Sequence, residues 1–141
     1  MKGDAYEHQA WLFASLGTFA VIFILEMIIH GVLLEGIYKQ TASVWRPQAD
    51  IQRLMWLMWV GYLIFAPFFA LIYIKGYEEG KGGVGQGIRY GVYMGFVLSA
   101  SQSLGWYAVL PIPAVLAFYW FVAGMVESVA AGITVGVIYR R

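Results

Sequence analysis

The uncharged stretch YGVYMGFVLSASQSLGWYAVLPIPAVLAFYWFVAGMV, residues 90–126, decides the fold. Its 37 residues would form a helix about 55 Å long, whereas the hydrocarbon core of a membrane is only about 30 Å thick. Pro111 and Pro113 divide the stretch, because proline interrupts helices. We therefore predict two membrane-spanning helices, at residues 88–109 and 114–138, joined by a tight hairpin.

Two further apolar runs, at residues 10–34 and 54–74, predict two more spans. Asp4 and Glu7 lie where a cleaved signal peptide would be basic, so we expect the first run to be retained. Pro67 lies inside the second run and should kink that helix. The predicted fold class is all-α, a four-transmembrane-helix antiparallel bundle that forms a single integral membrane domain over residues 1–141.

The overall composition supports a membrane protein and excludes several classes of function. Hydrophobic residues make up 61% of the chain and charged residues 12%, about half the charged share of a soluble domain. A net charge of +1 provides no basic face for nucleic acid. The absence of cysteine excludes disulfides, thiolate metal sites and cysteine nucleophiles.

The distribution of lysine and arginine predicts the orientation. One side of the predicted bundle carries Lys2, Lys75, Lys81, Arg89, Arg140 and Arg141. The other side carries Lys39, Arg46 and Arg53. Because basic residues accumulate on the cytoplasmic side, both termini and the loop at residues 76–88 are predicted to be cytoplasmic. That loop is glycine-rich but lacks a phosphate-binding motif, so we interpret it as a flexible connector between antiparallel helices.

Polar residues inside the predicted spans form a candidate ligand-binding cluster. Its members are Glu26, His30, Tyr62, Gln102 and Glu127. Their depths place them in the middle of the bilayer and in the half away from the cytoplasm, where ionisable groups usually face the bundle interior. Glu26 and His30, spaced i and i+4, share one helix face.

This cluster has several interpretations. In the structural one, Glu127 bonds to Gln102 or a serine while Glu26 pairs with His30. In a functional one, Glu26, His30 and Glu127 handle protons or bind a metal ion. Another is a pocket for a quinone-like molecule, with aromatic walls from Trp56, Trp59, Tyr62, Trp106, Tyr107 and Trp120. His8 and His30 lie too far apart to ligate one haem. A di-metal carboxylate site needs more ligands than Glu26, His30 and Glu127 provide. We therefore predict no metal and no cofactor.

Small residues indicate where helices can approach closely. Residues 91–95 and 132–136 match GxxxG, and residues 124–128 are a small-xxx-small variant. Such motifs allow backbone contact inside the bundle or with another protein.

Several local patterns together resemble a family of small bacterial four-span membrane proteins of uncharacterised activity, called hypothetical proteins. The patterns are Leu33 to Pro47 with Trp45-Arg46-Pro47, Lys75-Gly76-Tyr77-Glu78, Gly87-Ile88-Arg89-Tyr90-Gly91, Pro111-Ile112-Pro113, and Trp120 through Gly124 to Glu127 and Gly132. In that family the third span opens with Glu-Gly-x-Arg-Tyr-Gly, whereas this chain has Gln86 at the acidic position. The resemblance implies four spans in a bacterial inner membrane and implies nothing about chemistry.

Two functions remain as expectations. The leading hypothesis is a small non-catalytic accessory subunit that packs against a larger membrane complex, because the loops are short and no catalytic constellation is present. Its partners would be the lipid bilayer and either another membrane protein or a second copy of the chain. The alternative is a small carrier or ligand-binding bundle that handles a proton, an ion or a quinone-like molecule at the candidate ligand-binding cluster. Neither hypothesis makes the protein an enzyme.

Overall fold

The computed structural model describes residues 2–139, with side chains described from residue 6 onward, and this part of the chain is helical with no strand. Helix α1 (Lys2–Ile28) continues as a π-helical turn (Ile29–Leu33), and α2 (Glu35–Gln40) and a 3₁₀ turn (Ala42–Val44) follow. Helix α3 spans Gln48–Lys75 and runs through Pro67. Helix α4 (Gly83–Gly95), a second π-helical turn (Phe96–Ala100) and α5 (Ser101–Val109) form an uninterrupted helical stretch, and α6 spans Ala114–Ile138.

Three helical segments are long and apolar enough to cross a membrane. They are Tyr6–Leu33, Gln48–Lys75 and Ala114–Ile138. The predicted span at residues 88–109 falls within the stretch from α4 to α5, which is not among the three. Its glycines, serines and Gln102 lower its hydropathy, which explains the difference. Between this stretch and α6 the chain is non-helical around Pro111 and Pro113, where the sequence predicts a division.

The long helices pack in an antiparallel order, with α1 between α3 and α6, and with α6 between α1 and α4. Phe23 of α1 meets Trp59 of α3, and the Trp11 indole donates a hydrogen bond to the Pro67 carbonyl at 2.9 Å. Gly17 of α1 meets Thr134 and Ile138 of α6. Because low residue numbers on α1 meet high numbers on α3 and α6, neighbouring helices run in opposite directions.

The closest helix contact joins α4 to α6 through a stripe of glycines. Gly83, Gly87 and Gly91 on α4 face Gly136, Gly132 and Ser128 on α6. A Cβ atom on Gly87 would overlap the Gly132 carbonyl oxygen, and a Cβ atom on Gly132 would overlap that of Gly87. The GxxxG motifs therefore act inside the bundle, where they bring two backbones into contact.

The bundle has two ends, which we name by their residues. At the Trp45 end, formed by residues 34–47 and 110–113, Ile112 and Leu116 are buried against Tyr38, Trp45 and their neighbours. At the Tyr139 end, formed by residues 76–82 and Tyr139, an aromatic cluster joins α3 to α4, and its members are Phe69, Tyr73, Tyr77, Tyr90 and Tyr139. Within it the Tyr90 hydroxyl donates to the Phe69 carbonyl at 2.7 Å, and the Tyr73 hydroxyl donates to the Gly83 carbonyl at 3.0 Å.

The loop at the Tyr139 end is more constrained than the flexible connector that its composition predicts. The buried Gln86 side chain accepts a hydrogen bond from the Glu78 amide and donates to the carbonyls of Glu78 and Lys81, at 2.9 to 3.0 Å. Glu78 also forms ion pairs with Lys81 and Arg89. The hydrogen bond from Lys81, reinforced by Arg89, lowers the pKa of the Glu78 carboxyl. An amide at position 86 suits this loop, because a carboxylate could accept but not donate.

Candidate functional site

A cavity of about 560 Å³ lies between the helices in the half of the bundle nearer the Trp45 end. Its walls come from α1, α3, α5 and α6, with Tyr38 of α2 at one side. The five side chains that the sequence predicts as a cluster all line it: Glu26, His30, Tyr62, Gln102 and Glu127. The fold thus brings polar side chains from separate helices to one cavity, as expected because exposing ionisable groups to lipid is costly.

Three of these side chains form a compact group, which we call the polar cluster: Glu26, His30 and Glu127. One ligand atom from each lies within 4.8 Å of the other two. His30 Nε2 is 3.5 Å from Glu26 Oε2, as the i, i+4 spacing predicts, and both side chains are partly buried. Glu127 reaches the pair from the middle of α6, so the cluster joins two helices that are distant in sequence.

Two further side chains orient the His30 ring. Its Nδ1 lies 2.5 Å from the Tyr38 hydroxyl, and the Trp120 indole donates to that same hydroxyl oxygen at 2.8 Å. Burial raises the pKa of Tyr38 to about 12, so the hydroxyl keeps its proton at neutral pH. The hydroxyl can therefore donate to an unprotonated Nδ1 or accept from a protonated one, and the His30 tautomer follows that choice.

The contacts of Glu127 differ from the predicted structural interpretation. Its Oε1 atom is buried and has no hydrogen-bond partner. The Ser103 hydroxyl donates instead to the Ser99 carbonyl one turn back along its own helix, at 2.5 Å. The predicted bond from Gln102 or a serine to this oxygen is therefore wrong. Serine hydroxyls in helices readily bond to the preceding turn, which removes them as partners for a carboxyl on another helix.

The remaining predicted residues occupy the cavity wall in different ways. Tyr62 of α3 lies close enough to Glu26 for their polar groups to interact. Gln102 lines the cavity but is exposed, at the edge of the opening between α3 and α5. These two helices face each other across the cavity without packing closely. The wall of the cavity is therefore least complete between α3 and α5, whereas Phe65 of the lining packs on Phe69 towards the Tyr139 end.

The predicted aromatic wall is only partly present. Tyr62, Trp106 and Trp120 line the cavity, together with Phe65. Trp56, Trp59 and Tyr107 do not line it and lie exposed on the outer surfaces of their helices. Sequence alone could not separate the two groups, because the rotation of each helix about its axis depends on how the helices pack.

Tyr38 is the residue that sequence reasoning missed. It lies in the connection between two predicted spans, where a tyrosine is expected at the membrane surface. The sequence contains one local signal for the contact between Tyr38 and His30, which is that the two residues are only eight positions apart. The short helix α2, which follows the π-helical turn, carries Tyr38. The turn of the chain at Leu34 brings α2 back over the cavity, and that turn follows a π-helical segment that the sequence pattern did not predict.

Both π-helical turns border the cavity. His30 belongs to the first turn, in which the Leu34 amide bonds to the Ile29 carbonyl at 2.8 Å, and Leu98 and Ser99 belong to the second. Such turns interrupt the regular helix and occur frequently at functional sites. Their coincidence with the polar cluster supports a functional interpretation of the cavity.

No protein-family model, curated protein or solved structure matches this chain. The function of the chain is therefore inferred from the geometry of the cavity and from the chemistry of the groups that line it.

Proposed function

We propose that the chain is a ligand-binding membrane bundle that takes a small lipid-soluble ring compound, of quinone-like chemistry, into the cavity between α3 and α5. The observation that carries this proposal is that polar side chains and aromatic side chains line the same cavity. A volume of about 560 Å³ lies within the range of small-molecule sites. Tyr62 and Gln102 offer hydrogen-bond donors to carbonyl or hydroxyl groups, and Phe65, Trp106 and Trp120 offer ring surfaces.

The opening between α3 and α5 supports entry from the membrane. The opening lies between two helices, and the large exposed side chains that line the cavity include Met58, Leu98 and Trp106. A compound dissolved in lipid would therefore meet an apolar entrance before it reaches the polar cluster.

Blocking the cavity tests this proposal. Gly61 lines the cavity and has no atom within 4 Å of a Cβ placed on it, so Gly61→Leu fills the space without disturbing the helix. We expect a short-chain benzoquinone to bind the purified wild-type protein saturably, and the variant to bind at least about tenfold more weakly, as measured by isothermal titration calorimetry. A clash in the site of a ring compound is expected to cost more than about 1.4 kcal/mol, which is one factor of ten.

The matched control is Gly105→Leu, because Gly105 also has open space around it but does not line the cavity. It should bind the benzoquinone as the wild type does. Equal binding by the Gly61→Leu and wild-type proteins, or no saturable binding at all, would contradict the proposal.

The accessory-subunit hypothesis is the second candidate, and one observation favours it. Gln102 is exposed on a helix surface that we propose to lie in the membrane, where an amide facing lipid is unfavourable. A helix of a partner protein in the opening between α3 and α5 would cover it. Gentle purification from native membranes separates the candidates: a stoichiometric protein partner favours the subunit, and a chain that carries a small molecule favours the ligand-binding bundle.

The proposed arrangement in the membrane has four spans, with the stretch from α4 to α5 as the third. The Tyr139 end, with both termini, would face the cytoplasm of a bacterial inner membrane. The support is the greater number of lysines and arginines at that end and the antiparallel packing of the helices.

Single cysteines can test this topology, since the natural chain has none. Ser43 and Gly82 are exposed positions in the two end regions, and a Cβ on Gly82 meets no atom within 4 Å. In intact cells, an impermeant thiol reagent should label Ser43→Cys, while Gly82→Cys should react only after the membrane is opened. The reverse labelling pattern would invert the orientation, and labelling of both sites in intact cells would contradict the single span, α3, that separates them.

A further inference from the structure

We propose that the polar cluster of Glu26, His30 and Glu127 is a binding site for one divalent transition-metal ion of the Zn²⁺ class. This inference concerns the polar wall of the cavity and does not require the organic ligand proposed above. The i, i+4 spacing of Glu26 and His30 suits two ligands from one helix, and the sequence offers Glu127 as a third candidate without placing it beside them. The fold supplies the third ligand from α6.

The geometry of the three ligand atoms fits such an ion. Ligands at about 2.1 Å around a tetrahedral ion lie roughly 3.4 Å from one another. His30 Nε2 and Glu26 Oε2 are already 3.5 Å apart, and no pair among the three ligand atoms exceeds 4.8 Å. Small side-chain rotations therefore bring Glu127 into the coordination sphere without movement of the helices.

The unsatisfied carboxyl oxygen is a second and independent indication of a cation. Glu127 Oε1 is buried without a donor, a costly arrangement for a polar atom inside a bundle. Two neighbouring carboxylates in a medium of low dielectric also repel each other unless a cation compensates them. A divalent ion neutralises both negative charges, whereas a monovalent ion leaves one of them uncompensated.

The contacts of His30 provide the support that metal ligands usually have. A ligating histidine commonly donates its other ring nitrogen to an oxygen, which fixes the ring orientation and makes the ligating nitrogen a better donor. Here Nδ1 can donate to the Tyr38 hydroxyl, which leaves the Nε2 lone pair directed towards Glu26. The hydrogen bond from Trp120 fixes the position of that hydroxyl.

The ligand types select the class of ion. Imidazole favours Zn²⁺ and its transition-metal neighbours over Mg²⁺ and Ca²⁺, and the absence of cysteine disfavours soft ions such as Cu⁺. Three protein ligands leave at least one coordination position for water on the side of the cavity.

The test uses the full-length protein, purified in detergent, treated with a chelator and then given Zn²⁺ alone. We expect about one Zn²⁺ to remain per chain after desalting, and Zn²⁺ to raise the midpoint of thermal unfolding. Co²⁺ in the same site should give the visible absorption of a low-symmetry nitrogen and oxygen site. Glu127→Gln and His30→Gln should each abolish all three signals.

Matched controls separate this site from unspecific binding. His8→Gln removes the other histidine, far along α1, and Glu35→Gln removes an exposed carboxylate that pairs with Lys39. Both variants should bind Zn²⁺ as the wild type does. Tyr38→Phe keeps all three ligands but removes the contact to Nδ1, and should weaken Zn²⁺ binding about 10- to 100-fold.

Several outcomes would overturn the metal site. One is undiminished Zn²⁺ binding by Glu127→Gln and His30→Gln, and another is the absence of stoichiometric binding by the wild type. Mg²⁺ bound as tightly as Zn²⁺ would refute the class of ion. If one ligand variant fails to fold, the folded Tyr38→Phe protein still decides, because unchanged affinity there contradicts the assigned role of His30. Since no organic compound is present, failure here leaves the cavity proposal to its own experiment.

Discussion

Leucine in place of Gly87 or Gly132 is expected to separate α4 from α6 and to unfold most of the bundle. The Cβ atom of either substitution would overlap a backbone carbonyl oxygen of the opposite helix. Backbone cannot move aside as a side chain can, so the helices must move apart and lose their shared contact surface. We expect a loss of about 3 kcal/mol or more, at the upper end for overpacked sites. Thermal unfolding in detergent, followed by size-exclusion chromatography, measures it.

Graded and control variants make this expectation specific. Alanine at Gly87 should already destabilise the protein, because the Cβ atom itself causes the overlap. Gly31→Leu and Gly105→Leu should be tolerated, since nothing lies within 4 Å of a Cβ at these positions. Wild-type stability of Gly87→Leu would mean that α4 and α6 do not pack through this stripe.

Part of the glycine stripe between α4 and α6 could be predicted from the sequence. The spacing of Gly91 and Gly95 and of Gly132 and Gly136 correctly identified surfaces for close packing. It could not pair them, because a GxxxG motif specifies a small-residue surface and not its partner. It also missed Gly83 and Gly87, which lie in a segment whose composition suggested a loop. That segment is helical because its glycines allow close packing on α6, which outweighs the poor helix propensity of glycine.

For the cavity, the sequence predicted five of the residues that line it and the pair of Glu26 and His30, but not the other contacts. Ionisable groups such as Glu26 and Glu127 are expected to avoid lipid, and this rule alone brought them to the same cavity. Hydrogen-bond partners depend on helix rotation and on local distortions, which single spans do not encode. Neither Gln102 nor a serine bonds to the buried Glu127 Oε1, as the structural interpretation requires, and the contact between His30 and Tyr38 depends on a π-helical turn that periodicity does not reveal.

Replacing Glu127 with leucine is expected to stabilise the metal-free protein while abolishing its response to Zn²⁺. The buried Oε1 atom has no donor, and removing such an atom relieves a desolvation cost of about 1–3 kcal/mol. Glu127→Gln should have a smaller effect on stability, because its amide keeps the size of the side chain but still needs partners. An exposed control, Glu35→Leu, should change stability by no more than about 0.5 kcal/mol.

Thermal unfolding of the wild-type, Glu127→Leu and Glu127→Gln proteins, each with a chelator and with excess Zn²⁺, gives the decisive comparison. In chelator, the leucine variant should be the most stable of the three. In Zn²⁺, only the wild type should gain stability, by about 2.7 kcal/mol when free Zn²⁺ is 100 times the dissociation constant. A leucine variant less stable than wild type in chelator would mean that the carboxyl holds the helices together through a hydrogen bond. We thus expect the leucine variant to be more stable than the wild type in chelator and the wild type to gain stability only with Zn²⁺. This pattern is expected of a residue that is retained for ligand binding at a cost in stability, because a structural contact would favour glutamate in both conditions.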